Sequence, residues 1–146
     1  MERTGIFVGS FDPFTIGHAS VVRRALPLFD RLVIGVGVNA GKRYMTSTED
    51  RVAAISRLYA DDSRVTVEAY TGLTVDFAER HGAKFIVKGV RSVRDFEFER
   101  EQADINRRLT GVETVLLYAE PSMDSISSTV VRELTSYGRD CTEFLP

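Results

Sequence analysis

The chain has 146 residues, a formal net charge of −2, and a composition that is 43% hydrophobic and 27% charged. This length and the lack of a Pro-, Gly- or Ser-rich linker predict a single domain over residues 1–146. No apolar run approaches the roughly 18 residues that a membrane span needs, and the negative charge argues against bulk nucleic-acid binding. No signal peptide is visible, and the single cysteine, Cys141, cannot form an internal disulfide, so we expect a cytoplasmic protein.

Short β-branched segments alternate with amphipathic helical patterns along the chain. We predict strands at residues 5–9, 32–38, 65–69, 85–90 and 114–118. We predict helices from about 18 to 27, from about 48, over about 74–81, over about 93–109, and from about 127 to Gly138. This order predicts an α/β fold, a Rossmann-like, doubly wound sheet of five parallel strands with helices on both faces. Such sheets bind ligands at the carboxyl ends of the strands, where the strand order reverses.

The segment GSFDPFTIGH, residues 9–18, joins the first predicted strand to the first predicted helix. Backbone N–H groups at such a helix start bind anions. Gly9 permits close backbone approach to a ligand, Ser10 supplies a hydroxyl, and His18 lies in the first helical turn, at the rim of the core. A lone histidine at a helix start is usually structural, but its combination with the glycine and the hydroxyl favours a phosphate-binding site.

Three further cations follow the ends of predicted strands and should lie at the same edge of the sheet. Lys42 sits in a Gly-containing loop after the second strand, and Lys88 closes the fourth, with its stem buried and its ammonium near the ligand crevice. Gly89 permits close backbone approach, and the guanidinium of Arg91 suits phosphate oxygens. The alternative for Arg91 is charge balance with acidic residues of the fourth helix, a role that we expect for Arg94 instead.

Polar groups of two helices point to the same region. Four polar residues share one face of the fourth predicted helix: Asp95, Glu99, Gln102 and Asn106. This face either points to solvent or lines a water-filled groove. Ser127, Ser128 and Thr129 place three hydroxyls at the start of the fifth helix, where capping requires only one. Three hydroxyls with free N–H groups would form a cradle for phosphate.

Together these motifs resemble those of the bacterial phosphopantetheine adenylyltransferases, in the nucleotidyltransferase superfamily with the HIGH motif. Four blocks match in order: GSFDPFTIGH, NAGKRYMTSTEDRV, IVKGVRSVRDFEFE with the following DINRRL, and SISSTVVREL. The resemblance implies transfer of the adenylyl group of ATP to 4′-phosphopantetheine, with Mg²⁺, giving 3′-dephospho-coenzyme A and pyrophosphate. It also implies a homohexamer and feedback inhibition by coenzyme A.

The resemblance also implies roles for individual residues. His18 would contact the oxygens of the transition state, Lys42 and Ser10 the attacking phosphate, and Arg91 the β- and γ-phosphates. The implied ATP contacts are Gly9, Ser10, Phe11, His18, Gly89, Val90, Arg91, Glu99, Met123, Asp124, Ser125, Ile126, Ser127, Ser128 and Thr129. The implied phosphopantetheine contacts are Ser10, Lys42, Leu73, Thr74, Lys88 and Asn106. No protein ligand of a metal is implied.

Three positions depart from the commonest pattern of this family. Ser10 stands where threonine is usual, Lys88 where arginine is common, and Thr74 where a larger apolar residue is usual. An arginine guanidinium can donate two parallel hydrogen bonds to one phosphate, whereas the ammonium of Lys88 is a single charged nitrogen. The geometry of phosphate binding there is therefore expected to differ.

Two other functions are compatible with parts of the sequence. One is transfer of a nucleotide to glycerol phosphate, ethanolamine phosphate or nicotinate mononucleotide, whose enzymes usually carry two histidines in the first motif, where this chain has Thr15 and His18. The other is a non-catalytic ATP-binding sensor, which would have no reason to keep His18, Lys42 and Arg91 together.

Overall fold

The computed structural model describes all 146 residues. The strands are β1 (Thr4–Gly9), β2 (Arg31–Gly37), β3 (Val65–Tyr70), β4 (Phe85–Val90) and β5 (Glu113–Tyr118). The helices are α1 (Ile16–Ala25), α2 (Thr48–Leu58), α3 (Thr74–Arg80), α4 (Val93–Thr110) and α5 (Ser128–Ser136). Every predicted strand and helix is therefore present, close to its predicted bounds. None of the helices combines the length and the apolarity that crossing a bilayer requires.

All five strands form one parallel sheet with the order β3-β2-β1-β4-β5. The central strand is β1, in which Ile6 pairs with Val33 of β2 and with Ile86 of β4. The chain runs outward from β1 to β3 on one side and from β4 to β5 on the other, so the strand order reverses between β1 and β4. The predicted doubly wound architecture is confirmed, and the crevice at this reversal is the expected ligand site.

Side chains of the central strands alternate between two apolar layers, as the period of a β-strand requires. On one face, Phe7 of β1 and Ile34 of β2 pack with residues of α1 and α2. On the other face, Ile6 of β1 and Val33 of β2 pack with Phe77 of α3. Burial of the central strands on both faces explains their nearly uninterrupted apolar sequence.

Four hydroxyl side chains determine where helices begin. Thr15, Ser47, Ser92 and Ser127 cap α1, α2, α4 and α5, each accepting a hydrogen bond from a backbone N–H three residues later. At the other end of α1, the α-helix stops at Ala25 and a 3₁₀ turn that contains Pro27 follows. All four capped helix starts follow the carboxyl ends of strands, and they direct free N–H groups toward that edge of the sheet.

Candidate active site

A cavity of about 430 Å³ opens at the carboxyl ends of β1 and β4, where the strand order reverses. The predicted site residues that line it come from the loops after these strands, from the starts of α1 and α4, and from the segment that leads into α5. They are Gly9, Ser10, Phe11, His18, Lys88, Gly89, Val90, Arg91, Glu99, Met123, Ile126, Ser127, Ser128 and Thr129. Segments far apart in sequence thus meet at one concave site.

His18 is held in one orientation by the start of its own helix. Its Nδ1 accepts a hydrogen bond of 2.9 Å from the backbone N–H of Thr15, while the Thr15 hydroxyl caps the backbone N–H of His18. Because Nδ1 is an acceptor, the neutral ring carries its proton on Nε2. Nε2 has no hydrogen-bond partner within the chain, and His18 lines the cavity, so this N–H is available to a ligand.

The ring of His18 lies among aromatic rings, and this environment keeps it neutral. The centroids of Phe11 and Phe14 are 5.0 and 5.3 Å from that of His18. Burial and, to a lesser extent, the nearby charge of Arg91 together lower the pKa of His18 from 6.5 to about 4. At neutral pH His18 is therefore a hydrogen-bond donor of fixed tautomer and is uncharged in the unliganded protein.

Lys42 reaches the cavity through Ser10. The Lys42 ammonium donates a hydrogen bond of 3.0 Å to the Ser10 hydroxyl, which lines the cavity. Lys42 itself is exposed and lies in the loop after β2. The structure thus places together the two residues that the sequence analysis assigned to the attacking phosphate.

Phe11 has φ +48°, in the left-handed region that non-glycine residues rarely adopt. Its ring is almost fully buried and packs on Phe7 and Phe14. A Cβ on Gly9 would lie 3.1 Å from this ring. Gly9 therefore makes room for Phe11, and this packing role differs from the close approach to a ligand that we predicted. At Gly89 the reason is similar, since a Cβ there would lie 2.9 Å from Cγ2 of Val21.

Lys88 lies at the wall of the cavity with its stem half-buried, as predicted. Its Nζ is 3.1 Å from Oε2 of Glu99, an ion pair whose angles fall outside hydrogen-bond geometry. The Glu99 side chain is only 11% exposed. An ammonium has three N–H donors, so this contact leaves Lys88 able to bind a second anion.

The partner of Arg91 is a correction to the sequence analysis. We expected Arg94 to balance the acidic residues of α4, with Arg91 free for phosphate. In the structure Arg91 pairs with Asp95, since its Nε is 3.4 Å and its backbone N–H nitrogen 3.1 Å from Oδ2 of Asp95, whereas Arg94 forms no ion pair. The Arg91 side chain remains 42% exposed and lines the cavity. Its ion pair with Asp95, at the protein surface, therefore holds the guanidinium beside the cavity.

The three hydroxyls at the start of α5 have different partners. Ser127 is the helix cap, with its oxygen accepting from Val130 N–H at 3.1 Å. Thr129 accepts from Nη2 of Arg132 at 3.1 Å. Ser128 donates its proton to the Pro13 carbonyl at 2.7 Å. Ser127 and Thr129 therefore keep a free O–H donor for an anion, while Ser128 joins α5 to the loop after β1.

Apart from Lys42, which is joined to the lining only through Ser10, five of the predicted contacts lie outside the cavity. Leu73 and Thr74 begin α3 at the carboxyl end of β3, where the Thr74 hydroxyl is 3.1 Å from that of Tyr70. Asn106 lies farther along α4, and Asp124 and Ser125 lie between Met123 and Ile126 of the lining. The structure does not bring these five side chains to the walls of the cavity.

Three charged residues to which we assigned no role from the sequence fasten the site loops. The Asp12 carboxylate accepts hydrogen bonds from the loop after β2, Arg51 donates to the Ser10 carbonyl, and Arg132 donates to the Asp12 carbonyl. A signal existed for Arg51, which lies four residues before the buried Ile55 and so shares its helical face. We predicted this helix from its start signals alone and assigned no role to Arg51.

Comparison with known proteins agrees with this geometry. The profile of the family described as cytidylyltransferase-like matches residues 6–134. The chain is 58% identical to a phosphopantetheine adenylyltransferase of Phocaeicola vulgatus, over 99% of this chain and 95% of that protein. It is 51% identical to one of Bacteroides fragilis (99% and 96%) and 50% identical to one of Porphyromonas gingivalis (99% and 95%).

The chain belongs to the cytidylyltransferase-like family. Within this family its full-length relatives are named phosphopantetheine adenylyltransferases.

Two solved structures share the fold of this cytidylyltransferase-like chain. A bifunctional NMN adenylyltransferase/ADP ribose pyrophosphatase from Francisella tularensis superposes with a TM-score of 0.77 at 16% identity, covering 99% of this chain and 45% of that one. A lipopolysaccharide core biosynthesis protein from Thermoplasma volcanium superposes with a TM-score of 0.59 at 20% identity, over 82% and 98%. This chain spans less than half of the first structure, and at these identities both likenesses concern the fold alone.

Proposed function

We propose that this protein transfers the adenylyl group of ATP to 4′-phosphopantetheine, giving 3′-dephospho-coenzyme A and pyrophosphate. One observation carries the proposal: in a chain 58% identical over 99% of its length to a phosphopantetheine adenylyltransferase, the matching motifs converge on one cavity. His18 supplies a fixed N–H donor there, Ser10 and Lys42 form a hydroxyl–ammonium pair, and the start of α5 offers free O–H groups.

In this reaction an oxygen of the phosphopantetheine phosphate attacks the α-phosphorus of ATP. A new P–O bond forms as the bond between the α-phosphorus and the bridging oxygen to the β-phosphate breaks, and pyrophosphate leaves with the electron pair. The second pKa of such a phosphate is about 6, so the attacking group is largely dianionic at neutral pH. No general base is needed, and catalysis depends on positioning and on stabilising charge.

The residues of the cavity suit these tasks. His18 donates from Nε2 to a non-bridging oxygen of the α-phosphate, where negative charge accumulates. Lys42 and Ser10 orient the attacking phosphate. Arg91, with Ser127 and Thr129, holds the β- and γ-phosphates, together with the N–H groups at the start of α5.

The remaining predicted contacts complete the two substrate sites in this proposal. Lys88 holds the phosphate of phosphopantetheine with the N–H donors that Glu99 leaves free, while Glu99 contacts the nucleotide. Leu73, Thr74 and Asn106 contact the pantetheine arm where it extends beyond the cavity. Asp124 and Ser125 contact ATP beside the start of α5.

Mg²⁺ would be held mainly by the phosphates of ATP. The chain has no group of three or more His, Cys, Asp or Glu side chains placed to hold a metal ion, and phosphate oxygens with water are the ligands that Mg²⁺ commonly uses in nucleotide sites. When bound, the ion would neutralise part of the phosphate charge. Arg91 and Lys88 are paired with Asp95 and Glu99 of the lining, so these four charges balance one another and most of the triphosphate charge would be left for such an ion to neutralise.

We further propose a cytoplasmic homohexamer that coenzyme A inhibits. Self-association is supported by the apolar surface of α4, where Phe98, Ile105 and Leu109 are 53–60% exposed. These residues share one helical face. Inhibition by coenzyme A is supported by its chemistry, since it contains the whole of the product dephospho-coenzyme A.

The decisive experiment is an assay of pyrophosphate release by the purified protein with Mg²⁺ and ATP. We expect release only when 4′-phosphopantetheine is added, with dephospho-coenzyme A identified by mass spectrometry. Parallel reactions contain nicotinate mononucleotide, or glycerol phosphate with CTP. Release with one of these and not with phosphopantetheine would replace the proposal by another nucleotidyl transfer, and ATP binding without any release would favour the sensor.

A further inference from the structure

We propose that Arg51 and Asp12 are positioning residues for Lys42, acting on the reaction through the loop that carries it. Residues 39–47 form this loop between β2 and α2, and we call it the Lys42 loop. The inference rests on the proposed function, in which Lys42 orients the attacking phosphate. Neither residue belongs to the lining of the cavity.

Arg51 and Asp12 are buried charges without an ion-pair partner. Each is only 2% exposed, and neither forms a salt bridge within 4 Å. Burial of a charged group is costly unless hydrogen bonds compensate for lost water. Here the compensation comes from main-chain groups of the two loops that meet at Ser10 and Lys42, and from the Thr48 hydroxyl at the start of α2.

Asp12 and Arg51 bind the backbone of Thr46 from both sides. Asp12 Oδ1 accepts from the N–H of Thr46 at 3.0 Å, and its Oδ2 accepts from the N–H of Met45 at 2.7 Å. Nε of Arg51 donates to the Thr46 carbonyl at 3.1 Å. The end of the Lys42 loop is thus attached to the loop after β1 and to α2.

The same guanidinium also contacts the residue to which Lys42 is bonded. Nη1 of Arg51 donates to the Ser10 carbonyl at 2.6 Å, and its Cζ lies 4.0 Å from the centroid of the Tyr44 ring. The Tyr44 hydroxyl accepts from Asn39 N–H at 2.8 Å, and Lys42 Nζ lies 5.5 Å from the same ring. Arg51 therefore fixes the distance between Ser10 and the part of the Lys42 loop that carries Tyr44.

A planar fork with several donors is required for this arrangement. Nη2 of Arg51 donates to the Thr48 hydroxyl at 3.1 Å, so all three guanidinium nitrogens are used. A lysine would keep the charge but could not reach three acceptors in this geometry. Displacement of reacting groups by about 1 Å can cost up to about 10²-fold in rate, so loss of this fork should be measurable.

The test is a double-mutant cycle of Arg51→Lys with Lys42→Ala, using Arg57→Lys as the matched control. Arg57 lies on the same helix, is exposed and makes no hydrogen bond or ion pair. We expect Arg51→Lys to lower kcat/KM about 10-fold and to raise KM for phosphopantetheine, with KM for ATP within about twofold of the wild type. In the Lys42→Ala background the same change should cost less than about twofold.

An equal loss of kcat/KM in both backgrounds, or an equal rise of both KM values, would overturn the proposal. If Arg51→Lys does not fold, Thr48→Val replaces it, because it removes one acceptor of Arg51 at nearly constant volume. It should give a smaller effect of the same kind.

Limited trypsin digestion tests the fastening independently of activity. Cleavage after Lys42 or Arg43 should be several-fold faster in Arg51→Lys and Asp12→Asn than in the wild type and Arg57→Lys. Equal cleavage rates would overturn the proposal even if the assay shows the expected reaction. Faster cleavage in a protein that shows no phosphopantetheine-dependent release would leave the fastening intact and reject the proposed function.

Discussion

At the scale of single residues, the properties of His18 come from the helix start that contains it. The capping box with Thr15 uses Nδ1 as an acceptor and leaves Nε2 as the donor. Aromatic packing with Phe11 and Phe14 then removes water from the ring. One local motif and one apolar environment thus produce a neutral, oriented N–H group, which is the form suited to a developing charge on phosphate.

Replacing His18 by alanine should keep the fold and lower kcat by about 10²–10³, the usual loss for one preorganised donor. Steady-state kinetics of pyrophosphate release measure this, with the circular dichroism spectrum as the check on folding. Turnover close to that of the wild type would remove His18 from the mechanism.

The depressed pKa of His18 also predicts how stability depends on pH. The folded state has a pKa of about 4 and the unfolded state 6.5, so within this window the unfolded chain binds the extra proton. The contribution is fully present above pH 6.5 and is lost as the pH falls toward 4, by roughly 2 kcal/mol between pH 7 and pH 4.5.

The matched variant for this pH effect is His18→Gln, because glutamine at this position can still accept the capping-box hydrogen bond but does not titrate. Urea unfolding at both pH values should show a smaller acid-induced loss of stability in the variant. Equal losses in the two proteins would contradict the burial of a neutral histidine.

At the scale of elements, close packing between a strand and a helix determines where β2 can carry a side chain. A Cβ on Gly35 would lie 2.6 Å from Cε2 of Phe77 in α3 and 3.0 Å from Cγ1 of Val8 in β1. A Cβ on Gly37, two residues along the same strand, would meet no atom closer than 3.6 Å. The two glycines are alike in sequence context, but only the first is required for packing.

We therefore expect Gly35→Ala to lower the free energy of unfolding by about 1–3 kcal/mol through overpacking. Gly37→Ala should change it by no more than about 0.5 kcal/mol. Denaturant unfolding of both variants measures the difference. Equal stabilities would mean that the layer between β2 and α3 can relax around an added methyl group.

At the scale of the whole molecule, α4 presents two different surfaces. Its Asp95, Phe98 and Glu99 line the cavity, while Ile105 and Leu109, farther along the helix, are largely exposed. An apolar helical face of this kind is typical of an interface between subunits. The same helix therefore contributes to the proposed substrate site and to the proposed assembly.

The double variant Ile105→Glu/Leu109→Glu should dissociate the proposed hexamer, since it places two carboxylates in an apolar contact. Light scattering after size exclusion measures the mass, with Arg100→Glu on another face of α4 as the control. A wild-type protein that runs as a monomer would refute the assembly directly.

The sequence by itself determined the order and type of every element and most of the residues that gather at the cavity. The elements follow from local patterns: apolar periodicity, hydroxyl caps, and the rule that parallel strands end at one edge of the sheet. Several of the cavity residues, such as Phe11, Val90 and Met123, were implied only by the resemblance of the motifs to a known family. His18, Ser10 and Lys88 could be assigned to the site because each directly follows or closes a strand or opens a helix there.

Only the tertiary structure decided which groups these residues contact. Arg91 pairs with Asp95 where we expected Arg94 to do so, and Arg51, in a segment read only as helical, reaches the carbonyl of Ser10. Such partners depend on distances of a few ångströms between segments far apart in the chain. Those distances arise from the packing of helices on the sheet, and the spacing of residues along the sequence does not encode them.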